Sequence, residues 1–137
     1  MARHEPESAQ RPGETNTEWR LRMVLRDLQA LAADPEVLIA AYPKGVPVAD
    51  DLSNDLENRL LIAQDYVVKE GLVTQEMWDR IVRVDAKLEE MSNRYDMSLW
   101  TDDALRTRPE WVEVRRLARE ALEAMGYDLE PPPPRSM

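Results

Sequence analysis

Four stretches of the chain set apolar residues three and four positions apart, and each predicts a helix with one buried face. The first begins at Thr15-Asn16-Thr17-Glu18, where the Thr15 hydroxyl and Glu18 carboxylate can satisfy each other's backbone donors. Trp19, Met23, Val24, Leu28 and Leu31 follow as its stripe. Asp34-Pro35 ends that helix and offers a cap and a first-turn proline to a short one over 36–41. Residues 42–48 contain Pro43, Gly45 and Pro47 and predict a loop.

The second long helix is expected over about 51–70, capped by Asp50 or Asp51 and stopped by Gly71 in a left-handed conformation. Leu52, Leu56, Leu60, Ala63 and Val67 form its stripe, and Leu61, Ile62, Tyr66 and Val68 widen it. That width predicts a central place in the bundle. Thr74 caps a third helix, in which Met77, Ile81, Val84, Leu88 and Met91 step like the seam of a helix pair. A loop over 92–98 and a short helix over 102–106, capped by Thr101, precede the last long helix. There Pro109 occupies the first turn, Trp111, Val114, Ala118, Ala121 and Met125 form the stripe, and Gly126 terminates it.

These elements predict an all-α fold, a bundle of four long helices with one or two short ones. Residues 15–127 form the single helical domain. Residues 1–14, with Pro6, Pro12, Gly13 and no apolar period, read as a disordered N-terminal tail, and 128–137 as a Pro-rich one. No stretch approaches the roughly 20 apolar residues of a membrane span, and the charged start does not resemble a secretory signal, so a cytoplasmic protein is expected.

Chemistry is sparse. There is no cysteine, and the single histidine, His4, lies in the tail, so no metal, cofactor or serine–histidine pair is expected. Asp65 and Asp85 are the two carboxylates on apolar faces that could serve a hydrolase, or pair with Arg59, Arg80 or Arg83. The net charge of −9 argues against nucleic acid, and Arg115, Arg116 and Arg119 read as a solvated face with Arg116–Glu120 and Arg119–Glu123 pairs. Arginine outnumbers lysine fifteen to three, a bias that points to a GC-rich bacterial genome.

The acidity is concentrated. Residues 34–57 hold six carboxylates against Lys44 alone, and four of them, Asp50, Asp51, Asp55 and Glu57, gather around one helix start. Such a face steers a basic partner. The stretch from Tyr95 to Trp100 adds large apolar side chains to a loop, which either folds back over the bundle end or serves recognition. Asp50, Asp51, Asp55, Glu57, Tyr95 and Trp100 are therefore the candidate protein-binding residues.

Small, acidic, helical chains without active-site residues resemble the immunity proteins that neutralise bacterial toxins. The stretch Leu99-Trp100-Thr101, with Pro109-Glu110-Trp111 and Arg115 to Leu122, is similar to small bacterial proteins of toxin loci. The resemblance implies a non-catalytic protein that binds a basic toxin domain and occludes it. A regulatory helical module that homodimerises through the Met77–Met91 or Trp111–Met125 seam is the alternative.

Overall fold

The computed structural model describes residues 9–127 except Asp65. Helix α1 spans Asn16–Ala32, α2 Pro35–Ala40, α3 Val48–Ala63, α4 Gln75–Ser92, α5 Asp102–Thr107 and α6 Pro109–Ala124, with a 3-10 helix over Met97–Trp100. Among the described residues there is no strand, and no helix is long and apolar enough to cross a membrane. The four-long-helix bundle is the observed architecture.

The helix starts follow their local chemistry. At α1 both halves of the reciprocal cap form: the Glu18 amide donates to Thr15 Oγ1 at 3.1 Å and the Thr15 amide to Glu18 Oε1 at 2.9 Å. Asp34, Thr74 and Thr101 accept from the first turns of α2, α4 and α5. Gly71 and Gly126 adopt φ of +77° and +72°, and the amides that follow them reach back to the Val67 and Leu122 carbonyls.

Three expectations for α3 are corrected. It starts at Val48, with Pro47 as a cap that makes no side-chain bond, because Val48 and Ala49 are drawn into the core. Asp50 and Asp51 lie instead in its first turn, where the helix dipole favours them. The helix also stops at Ala63, and residues 66–71 continue as turns that keep Val67 buried. The β-branched pair Val67-Val68 is a poor helix extender. Nor is α3 central: Leu61, Ile62 and Tyr66 are exposed, because one face alone of α3 meets α1 and α4.

Helices α1 and α6 share the centre of the bundle. Helix α1 packs against both α3 and α6, and α6 packs in turn on α4. Leu21, Val24, Leu25, Leu28 and Leu31 are all buried, flanked by the alanines 30, 32 and 33. The third-helix seam meets its partner inside the chain: Ile81, Val84, Leu88 and Met91 pack with Trp111, Val114, Ala118 and Ala121 in one core. Both seams are thus buried for most of their length within the chain.

Polar side chains tie the helices together. Arg59 donates from Nη1 to Asp27 Oδ1 at 2.5 Å and to the Met23 carbonyl at 3.3 Å, clamping α3 to α1. Asp27 has no solvent exposure. Thr17 donates to Glu70 at 2.7 Å, so the start of α1 meets the turn after α3 while its middle meets Arg59, and the two helices run antiparallel. Arg115 donates to the Leu105 carbonyl and Arg119 to the Ala32 carbonyl. The expected Arg119–Glu123 pair is thus replaced by a cation at the negative end of α1, whereas Arg116 pairs with Glu120 and Glu113.

Residues 9–14, read from the sequence as tail, are held against α1: Arg22 donates to Glu14 at 2.8 Å and to the Ala9 carbonyl at 2.7 Å. Residues 1–8 and 128–137 of the two expected tails lie outside the described residues.

Candidate functional site

Four elements converge where α4 ends. After Ser92 the chain must reverse, and it does so through Asn93, Arg94 and Tyr95, with the Tyr95 amide donating to the Ser92 carbonyl at 3.2 Å. Tyr95 has φ +54°, the sole non-glycine residue with positive φ among those described. A bulky L-residue in this region costs about 1–2 kcal/mol. The ring does not recover that cost by burial, since Tyr95 is 88% exposed.

Beyond it the Asp96 carboxylate accepts from the Ser98 amide at 3.0 Å and the Ser98 hydroxyl at 2.6 Å, starting the 3-10 turn that the sequence pattern did not reveal. The Ser98 bonds, with Arg108 and Arg94 nearby, hold the Asp96 carboxyl below its usual range and keep it ionised at neutral pH. Arg108 approaches Asp96 at 3.8 Å but also donates to Glu110 at 3.2 Å, and Arg94 is engaged by Glu90 and Glu110.

The turn is anchored from below. Leu99 is fully buried and its carbonyl accepts the Trp111 indole N–H at 2.6 Å. Trp100 meets Trp111 edge-on, with ring centroids 5.6 Å apart and planes at 88°. The loop is divided between burial and exposure. Leu99 and half-buried Trp100 cover the bundle end, while Tyr95 and Met97, 78% exposed, stand out from it.

Between this loop and the first turns of α3 lies a groove of about 240 Å³, lined by Asp50, Ser53, Asn54, Ser92, Tyr95, Asp96, Met97 and Trp100. Three candidate residues, Asp50, Tyr95 and Trp100, are brought together here from positions up to fifty apart in sequence. Asp50 is exposed and has no cationic partner among the described residues. Ser53, Asn54, Asp96 and Met97 join them, and the signal that could have found the first two was their helical spacing from Asp50.

The other three candidates do not line the groove. Asp51 and Asp55 are half-buried on other sides of α3, and Asp55 has interactions of its own. Glu57 faces Asp85 on α4 instead. Burial, then repulsion from Glu57 and Glu89, pushes the Asp85 carboxyl above its ordinary range. Asp85 pairs with neither Arg80, which binds Glu76, nor Arg59, which binds Asp27. Asp65 lies outside the described residues.

Asp27, the fully buried carboxylate, was absent from the candidates, and its place in α1 beside Leu28 was the available signal. No protein-family model, curated protein or solved structure matches the chain, so the geometry of this groove carries the functional reading.

Proposed function

We propose that this protein acts by binding, not by catalysis, and that the groove between α3 and the Tyr95–Trp100 loop docks a basic partner protein. The observation that carries the reading is Tyr95: a strained backbone displays an almost fully exposed aromatic ring beside exposed Met97 and two carboxylates. Strain of this kind clusters where function sets the conformation. Tyrosine and methionine are favoured in interfaces, and Trp100, fixed on Trp111, gives the patch a rigid floor.

The partner's chemistry follows from charge. Asp50 has no cationic partner among the described residues and lies at the groove, and Asp51 and Glu57 extend the negative field along α3. Such a field raises the encounter rate of a cationic surface by roughly 10–1,000-fold at low salt. A lysine or arginine of the partner fits between the Tyr95 ring and the Asp50 carboxylate, joining cation–π attraction to an ion pair. An immunity-type role in the bacterial cytoplasm, occluding a basic toxin domain, is the reading in which acidity, small size and an anchored aromatic patch all have a use.

The test starts from the genome. A large secreted protein with a basic C-terminal domain should be encoded beside this chain. Co-expression should then rescue cells from that domain, and Asp50→Lys with Tyr95→Ala should abolish rescue while leaving the helical spectrum intact. A metabolic or transport operon in that place, or full rescue by the double variant, rejects the reading.

A further inference from the structure

At the opposite end of α3 a second groove, also about 240 Å³, opens between α1 and α3. Trp19 and Met23 from α1 and Ile62 from α3 line it with apolar surface, and Arg20 and Arg59 add two guanidinium groups. In a chain of net charge −9 a groove lined by two guanidinium groups and a tryptophan stands apart from the acidic groove described above.

The state of the two arginines defines what fits. Arg59 spends one nitrogen, Nη1, on Asp27 and the Met23 carbonyl. Its Nε and Nη2 donate to no acceptor among the described residues, although the side chain stays 29% exposed. That edge is the one that takes a carboxylate through two parallel bonds. The buried Asp27 carboxylate fixes the guanidinium plane, so the fork is held in place before anything binds. Arg20 lies over the Trp19 ring at 5.8 Å and has no carboxylate partner among the described residues.

We infer that this groove is a binding site for a small apolar carboxylic acid, its carboxylate on the open edge of Arg59 and its apolar body against Trp19, Met23 and Ile62. The size favours a free acid over a peptide, since the volume falls below the roughly 300–1,000 Å³ of sites for drug-sized molecules. An aryl ring or short acyl chain with one carboxylate matches both the floor and the single fork. The site does not touch the residues of the docking groove, so the two proposals stand or fall separately.

The experiment is a titration of the whole chain, isotopically labelled, with 3-phenylpropionate, followed by NMR at the tryptophan indole N–H groups and the arginine Nε–H groups. Saturable shifts are expected at Trp19, Arg20 and Arg59, and 3-phenylpropanamide should bind at least tenfold more weakly. Arg59→Lys keeps a cation beside Asp27 but removes the fork, and should weaken the acid about tenfold. Arg20→Gln leaves the Asp27 contact untouched and should weaken it severalfold, which keeps the test valid if the Arg59 variant unfolds. Equal affinity for acid and amide, shifts confined to other tryptophans, no saturation at millimolar acid, or tighter binding of Gly-Gly-Phe than of the free acid overturns the proposal.

Discussion

Trp111, in the middle of the core, donates its indole N–H to the Leu99 carbonyl at 2.6 Å, so the bundle interior holds the exposed loop by its backbone. Leu99 sits between Met97, which points to solvent, and Trp100, which rests on the Trp111 ring. Trp111→Phe leaves that buried carbonyl unsatisfied and opens space beside it. The expected loss is about 2–3 kcal/mol by urea unfolding. Amide exchange over residues 95–100 should also accelerate more than exchange in α3, which separates loosening of the loop from general destabilisation.

Tyr95→Gly should act in the other direction. It relieves about 1–2 kcal/mol of left-handed strain, while glycine gives back about 0.4–1 kcal/mol through the more flexible unfolded chain. A net gain of about 0.5–1 kcal/mol is expected, read as a higher urea midpoint at unchanged slope. The same variant should bind the partner more weakly. A Tyr95→Gly protein that is less stable would mean the ring contributes to folding, and the functional reading of its strain would fail.

Much of the fold was legible because it rests on local chemistry. Thr15, Thr74, Thr101 and Pro109 mark helix starts by side-chain geometry that involves a few neighbours, and Gly71 and Gly126 mark ends by a backbone need. What failed depended on distant partners. Leu61, Ile62 and Tyr66 look like core in the sequence but face solvent, because periodicity records apolar width and not which face finds a neighbour. Helix α1 hides its central place behind Arg22, Arg26 and Asp27, whose charges are absorbed by tertiary contacts such as Glu14 and Arg59. The docking groove was half visible: Asp50, Tyr95 and Trp100 were each distinctive, but their meeting needed α4 to run back along α3.

The Asp27–Arg59 pair should be the most sensitive polar contact in the fold. Removing one partner of a buried pair costs about 3–5 kcal/mol. Partial exposure of Arg59 screens the interaction, so about 2–4 kcal/mol is expected for Arg59→Met by chemical denaturation. Arg59→Lys should recover more than half of that loss. A stability change under about 1 kcal/mol for Arg59→Met would show that Asp27 is served by its other contacts.

Two carboxylates should shape the pH dependence of stability with opposite signs. Asp85 has a folded-state pKa above its ordinary one, owing to burial first and to Glu57 and Glu89 next. The ionised form therefore opposes folding at neutral pH, and the opposition fades as pH falls through the folded pKa. Asp85→Asn should raise the melting temperature at neutral pH and raise it less in acid. Glu14 is drawn down from 4.5 to about 2, chiefly by its hydrogen bond from Arg22. Its contribution is complete above its unfolded value and is lost as pH falls through about 2. Glu14→Gln should lower the melting temperature at neutral pH and leave it unchanged below that value.

The docking claim is tested most directly by stopped-flow association with the basic domain encoded beside this chain, measured across salt concentrations. Tyr95→Ala and Met97→Ala should speed dissociation about tenfold or more while association changes little, as expected of residues inside the contact. Reversal of Asp51 and Glu57 to lysine should instead slow association, and only at low salt. Wild-type dissociation from the Tyr95 and Met97 variants, or association insensitive to the charge reversals at low salt, would contradict the account.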